Sequence, residues 1–187
     1  MSDMLELSQD IERILISEEA LQSRVRELGA EISRDYAGHV PLLIGILKGS
    51  FIFMADLMRT LSIPCQLDFL ALASYGRAAV SSGSVRILKN IDFEITGRDI
   101  LFVEDILDSG NTVGYIKKMM AQFAPASVRM CTLLDKPARR QYPIVSDYTG
   151  FEVPDEFLVG YGLDYAENYR GLPYVGILKK KIYDPGS

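Results

Sequence analysis

The chain has 187 residues, 48% hydrophobic and 24% charged. Against a usual domain of about 100–200 residues, this predicts a single domain over 1–187 with a sizeable core and excludes a disordered chain. Twenty Lys and Arg against 25 Asp and Glu leave a net charge of −5, so the chain as a whole is not a basic coat for duplex nucleic acid, and no nucleic-acid partner is expected. No apolar run approaches the roughly 20 residues of a membrane helix, and Leu42–Leu47 stops at Lys48, so no membrane partner is expected.

In chain order, the acidic start MSDMLELSQD lacks the basic lead of a signal peptide. Ile11–Ile16 reads as a short strand. Ser17, Glu18 and Glu19 mark a helix start, with a capping hydroxyl and acids at the positive end of the dipole. Leu21, Val25, Leu28 and Ile32 then recur at helical spacing towards Tyr36. His39, the one histidine, falls in a loop and is read as a surface residue; multi-histidine zinc sites are excluded. Leu42–Leu47 is apolar on both faces, as in a central parallel strand. Phe51, Met54, Ala55, Met58 and Leu61 define the next helix, and Pro64 ends that unit. Cys65–Ser74 reads as a strand with Leu67, Phe69, Ala71 and Ala73 on one face. Cys65 and Cys131 are too few for a disulfide framework, which predicts a reducing, cytoplasmic location.

Tyr75–Ser84 is small, polar and aperiodic, the pattern of a mobile loop. Arg86–Leu88 and Asp99–Val103 read as strands, Val113, Ile116, Met120 and Phe123 as one helix face, and Val128–Leu134 as a further strand. This alternation predicts an α/β fold with a mainly parallel twisted sheet flanked by helices. The core is expected over about 37–150. Short strands, aromatics and turns over about 151–187, with N-terminal residues, are expected to form a small C-terminal hood.

Val103–Thr112, VEDILDSGNT, is the most informative stretch. A strand ends in two acids, a Ser-Gly-Asn-Thr turn follows, and a helix begins at once. Free N–H groups at a helix start, with the Ser109 and Thr112 hydroxyls, make a cradle for phosphate, and Gly110 allows close backbone approach. Glu104 and Asp105 suit sugar hydroxyls, so a ribose phosphate satisfies both halves. Neither a Gly-Lys-Ser/Thr loop nor Gly-x-Gly-x-x-Gly is present in this segment. On chemistry alone, a strand–turn–helix with acids at a cap remains equally open.

Two hydrophobic residues, two acids, two hydrophobic residues, Asp, a small residue, Gly and then Thr resemble the phosphoribosyl pyrophosphate signature of the type I phosphoribosyltransferases. LLIGILKGSFIFMADLMR (Leu42–Arg59), SYG (Ser74–Gly76), CTLLDKPARR (Cys131–Arg140) and Gly150–Gly176 resemble the hypoxanthine(-guanine) branch, in that family's order. Asn111 departs from the lysine that several relatives carry there.

The resemblance implies transfer of a phosphoribosyl group from phosphoribosyl pyrophosphate to a 6-oxopurine, with Mg²⁺ as cofactor and a dimer or tetramer as assembly. It implies Asp108 as general base, and Glu104, Asp105, Asp108, Ser109, Gly110, Asn111 and Thr112 around the ribose 5-phosphate. Lys48, Gly49, Ser74, Tyr75 and Arg170 would hold pyrophosphate, with a Leu47–Lys48 peptide that is often cis in the family. Lys136, Phe157, Leu158 and Asp164 would surround the purine. Glu104, Asp105 and Asp164 would serve the metal. Arg139 and Arg140 read as a solvated basic turn, and Lys179–Lys181 as a solvated face. A regulator that keeps this fold but binds nucleic acid is the competing class; it calls for a basic face or an added module. Xanthine remains open as an alternative base.

Overall fold

A computed structural model describes residues 4–74 and 85–184. The chain opens with α1 (Met4–Gln9) and β1 (Ile11–Ile16), then α2 (Glu18–Asp35). Ser17 caps α2 by accepting the Ala20 N–H at 3.3 Å, with Glu18 and Glu19 in the first turn. Leu21, Val25, Leu28 and Ile32 are all at most 1% exposed, and each such buried side chain contributes about 1.5–3 kcal/mol relative to exposure. β2 (Leu42–Leu47), α3 (Phe51–Thr60), β3 (Gln66–Ser74), β4 (Val85–Lys89), β5 (Asp99–Leu107), α4 (Asn111–Met120), β6 (Ser127–Asp135) and β7 (Tyr148–Glu152) follow. The chain finishes with β8 (Leu158–Val159), β9 (Val175–Leu178) and α5 (Lys180–Tyr183).

Six strands form the main sheet in the order β4-β3-β2-β5-β6-β7; β3 and β4 are antiparallel, and the other neighbours are parallel. The α2 and α3 side chains pack with Leu43, Leu101 and Val103 on one face. The α4 side chains pack with Leu42, Ile44 and Phe102 on the other. Because α3 leads away from β2 on one face and α4 leads away from β5 on the other, the sheet changes winding direction between β2 and β5. Open α/β sheets bind ligands at the carboxyl ends of the strands at that point. The two strands pair from Leu42↔Ile100 to Gly45↔Val103 and no further, while β5 stays with β6 to Leu107↔Asp135. A crevice therefore opens between the end of β2 and the last turn of β5.

A second sheet, β1-β9-β8, holds the N- and C-terminal segments together. It corresponds to the predicted hood, although β7 keeps the chain in the main sheet as far as Glu152. Two expectations need correction, and two short helices had no counterpart among them. β5 does not stop at Val103: pairing with β6 carries it to Leu107, so Glu104 and Asp105 lie inside the strand. α4 ends at Met120, and Phe123 sits in the following turn, 39% exposed. The residue before a proline is kept out of helical geometry, and Ala124, which precedes Pro125, has φ 44°. Lastly, α1 and α5 are helices that periodicity over so few residues does not reveal.

Candidate functional site

Three parallel strands deliver functional groups to the same end of the sheet: Lys48 and Gly49 after β2, Glu104–Thr112 at the end of β5, and Lys136 after β6. Gly110 is the N-cap of α4 with φ 87°, a conformation in which an L side chain is strained, and no side chain caps this helix. The amides of the first turn thus face the crevice without a capping acceptor, apart from a 3.3 Å contact from the Asn111 N–H to Ser109 Oγ. Ser109, Asn111 and Thr112 line a cleft here together with Glu104 and Asp108.

The acids are the electrostatic centre. Glu104 is 8% exposed and its Oε2 is buried without a hydrogen-bond partner. Burial, with Asp105 alongside, holds its carboxyl well above the usual range. Asp105 is pushed up to about 6, chiefly by burial and further by Asp164, against backbone hydrogen bonds and Arg170. Asp108 also has a buried, unpartnered oxygen, Oδ1, and its Oδ2 lies 4.0 Å from Arg139 Nη1. Buried polar atoms are rarely left unpaired, which makes these two oxygens candidate contact points for a ligand.

Across the crevice, the Leu47–Lys48 peptide is cis, and Ser50 Oγ donates to Ile46 O at 2.6 Å to brace the turn. Gly49 is dictated by close approach: a Cβ there would stand 1.6 Å from Asp105 Oδ2. From the other side, a Cβ on Gly162 would stand 2.0 Å from Gly49 O. These two approaches bring the loop after β2, the acids of β5 and the 160–170 loop into one site. Arg170 donates to Gly162 O at 2.8 Å and pairs with Asp164 Oδ1 at 2.8 Å. Lys48 Nζ lies 3.0 Å from both Glu167 carboxylate oxygens. Of the other predicted anion ligands, Ser74 ends β3, whereas Tyr75 and the Tyr75–Ser84 loop lie outside the described residues.

Lys136 is only 5% exposed and donates from Nζ to Glu156 O at 2.8 Å. Burial pulls its ammonium below the usual lysine range, with Asp108 the largest opposing influence. Phe157 is already in an aromatic cluster: Tyr183 stacks on it at 4.7 Å and Tyr165 meets it edge-on at 5.5 Å. Leu158 is buried opposite Ile177 in β8–β9. His39 is 61% exposed at its side chain and contacts Asp99, far from these groups in the sheet register.

Arg140 overturns the reading of Arg139 and Arg140 as a solvated turn. Its side chain is 14% exposed and pairs with Asp135. It also donates to Leu107 O and Ile144 O, and its aliphatic Cδ lies 3.5 Å from where a Gly110 Cβ would stand. Together with the Gln141 N–H to Ser109 O bond at 3.0 Å, it braces the 109–112 turn from behind. Arg139 is more exposed but pairs with Asp155. Lys179 likewise is not purely solvated, since it donates to Gln9 O across the chain ends. Sequence reasoning also missed Glu167; its signal, an acid three residues before Arg170, was visible but ordinary.

The model of the phosphoribosyl transferase domain matches residues 13–166. This chain belongs to that family. It is 50% identical over 178 residues to the hypoxanthine-guanine phosphoribosyltransferase of Bacillus subtilis, covering 95% of this chain and 99% of that one. A crystal structure of a hypoxanthine phosphoribosyltransferase from Staphylococcus aureus superposes with a TM-score of 0.91 at 42% identity, over 95% of this chain and 96% of the other. That of a hypoxanthine-guanine phosphoribosyltransferase from Bacillus anthracis, with a HEPES molecule in its active site, gives 0.86 at 46% identity, over 90% and 99%. The type I fold and the hypoxanthine(-guanine) branch expected from the motifs are both upheld. Among the described residues, no helix is long and apolar enough to cross a membrane.

Proposed function

We propose that this chain is a purine-salvage enzyme that transfers the 5-phosphoribosyl group from phosphoribosyl pyrophosphate to hypoxanthine or guanine, giving the nucleoside monophosphate and pyrophosphate. The observation that carries the reading is the pair of buried, unpartnered carboxylate oxygens on Glu104 and Asp108 beside the uncapped start of α4. A ribose 5-phosphate with a purine beside it meets these needs, with a sugar hydroxyl for Glu104, the purine N7–H for Asp108 and an anion for the helix amides.

In the reaction the anomeric carbon loses its bond to pyrophosphate oxygen and gains one to the purine N9. Asp108 takes the N7 proton that becomes labile as this bond forms. Glu104 and Asp105 hold the ribose hydroxyls. Ser109, Gly110, Asn111 and Thr112 hold the 5-phosphate, mainly through backbone N–H groups. Lys48, the Gly49 backbone and Arg170 receive pyrophosphate, with Ser74 and Tyr75 assigned to the same end. Lys136 donates to the purine 6-oxo group; adenine presents donors there, so the pairing fails. Phe157 stacks on the base, Tyr183 and Tyr165 fixing the ring, and Leu158 reads the base edge.

Mg²⁺ belongs to this reading. Among the described residues, no group of three His, Cys, Asp or Glu forms a self-sufficient metal site. Glu104, Asp105 and Asp164 nevertheless fit a hard cation that takes most of its ligands from phosphate, hydroxyl and water. The raised carboxyl of Asp105, close enough to Asp164 to be influenced by its charge, is consistent with an acidic pair awaiting a cation. When bound, the ion would neutralise charge developing on the leaving group. The reading includes a homodimer or homotetramer, a cytoplasmic location in keeping with the free thiols of Cys65 and Cys131, and a single domain with its core over 37–150.

The test is pyrophosphate release by purified protein with Mg²⁺, phosphoribosyl pyrophosphate and each of hypoxanthine, guanine, xanthine and adenine. Turnover on hypoxanthine or guanine and none on adenine is expected. No release with any oxopurine would overturn the reading.

A further inference from the structure

The loop that carries Arg170 also carries a carboxylate with no place in the reaction above. Glu167 chelates the Lys48 ammonium with both oxygens at 3.0 Å, and its Oε2 lies 3.4 Å from Arg170 Nη2. Its own N–H donates to Asp164 Oδ2 at 2.9 Å, and Asp164 pairs with Arg170 at 2.8 Å. Both cations assigned to pyrophosphate are therefore engaged by acids of one short turn, two positive charges against two negative. The backbone is held there against its preference: Ala166, Glu167 and Tyr169 have φ of 49°, 63° and 73°, in the left-handed region that L residues seldom enter. The conformation aims the Glu167 side chain back across the crevice at Lys48, from 119 residues away in sequence.

We propose that Glu167 is a resident counter-anion of the pyrophosphate site, a carboxylate that holds Lys48 and Arg170 until pyrophosphate displaces it and that reclaims them when the product leaves. The proposal rests on the assignment of Lys48 and Arg170 to pyrophosphate. Its physical consequence is an affinity set lower than two free cations would give, and a faster release of product. The size of the effect is bounded by exposure: the Lys48 and Glu167 side chains are 65% and 66% exposed. Ion pairs at such sites are weak and change affinity by at best about fivefold.

The experiment is calorimetric titration of Mg²⁺-pyrophosphate, and separately of purine nucleoside monophosphate, into wild type, Glu167→Gln, Glu167→Ala, Lys48→Ala and Arg170→Ala. Glu167→Gln and Glu167→Ala are expected to bind pyrophosphate about two- to fivefold more tightly, with an unchanged affinity for the mononucleotide. The gain should shrink in high salt, which screens exposed pairs. Lys48→Ala and Arg170→Ala should weaken pyrophosphate binding. If those two variants weaken binding while both Glu167 variants leave it unchanged or weaker, the counter-anion role is overturned and the pyrophosphate assignment stands. If Lys48→Ala and Arg170→Ala change nothing, the assignment itself fails. The Glu167 side chain is itself exposed and pairs only with Lys48 and Arg170, so the variants are expected to fold, and matched melting temperatures check this.

Discussion

The end of β5 and the 160–170 loop face each other across one crevice and are built in opposite ways. The β5 side is regular structure: a strand locked to β6 through Leu107↔Asp135, then a helix starting at a left-handed glycine. Its polar groups are left unmet, with Glu104 Oε2 and Asp108 Oδ1 unpartnered and the first amides of α4 uncapped by a side chain. The 160–170 loop is irregular, with left-handed φ at Gly160, Tyr161, Gly162, Ala166, Glu167 and Tyr169. Its charges satisfy one another, Arg170 with Asp164 and Glu167, and Glu167 with Lys48. The first side is organised in advance. The second must exchange partners to bind, so the proposed function assigns the chemical step to the β5 side and tunable affinity to the loop.

The largest expected effect tests the chemistry of the β5 side. Asp108→Asn should lower turnover by about 10²–10⁴, the usual worth of a general base, with a much smaller change in phosphoribosyl pyrophosphate affinity. Steady-state kinetics with a binding titration checks this; an unchanged turnover number removes Asp108 from its role. Lys136→Ala should reduce discrimination of oxopurines from adenine by roughly ten- to a hundredfold, as expected for a lost charge-assisted hydrogen bond. Relative kcat/KM on hypoxanthine and adenine measures it, and unchanged discrimination would assign base selection elsewhere.

Gly110→Ala sharpens the contrast in backbone. A side chain in a left-handed position costs roughly 1–2 kcal/mol, and here it also approaches Ile144 at 3.4 Å. Mononucleotide affinity should fall about tenfold while Mg²⁺-pyrophosphate affinity changes little; equal losses of both would mean that the two sides are not independent.

The smallest effect is on stability. Asp105 has a folded-state pKa of about 6, above its ordinary value. Well below pH 4 the carboxyl is neutral in both folded and unfolded chains and contributes nothing, and at pH 4 its contribution is still small. As pH rises from there through 6, the unfolded chain ionises first and the folded state bears the cost of a buried charge. Asp105→Asn should therefore raise the melting temperature of the ligand-free protein at pH 8 and lose that advantage at pH 4. A gain independent of pH would point to packing rather than charge.

The alternation of strands and helices was legible because apolar spacing is a local property: the apolar residues Leu21, Val25, Leu28 and Ile32 and those of Leu42 to Ile46 bury as their patterns require. Local rules also account for the acids, the left-handed Gly110 and the uncapped helix start, all within ten consecutive residues. Arg140 was misread because nothing in its neighbours in sequence announces Leu107, Ile144 and Asp135 as a set of acceptors. Phe157 was placed beside the purine by resemblance alone, and nothing local announced that α5 would return Tyr183 to its face.

By itself, then, the sequence determined which segments would be buried, which strand would carry the paired acids and which turn would start a helix at a glycine, since each depends on residues close along the chain. Only the tertiary structure decided that Lys48 meets Glu167, that Gly49 must be bare beside Asp105, and that Arg140 holds the loop from behind. Those contacts join positions up to 119 residues apart. They exist because the sheet changes winding direction between β2 and β5 and the terminal segments pair into a second sheet.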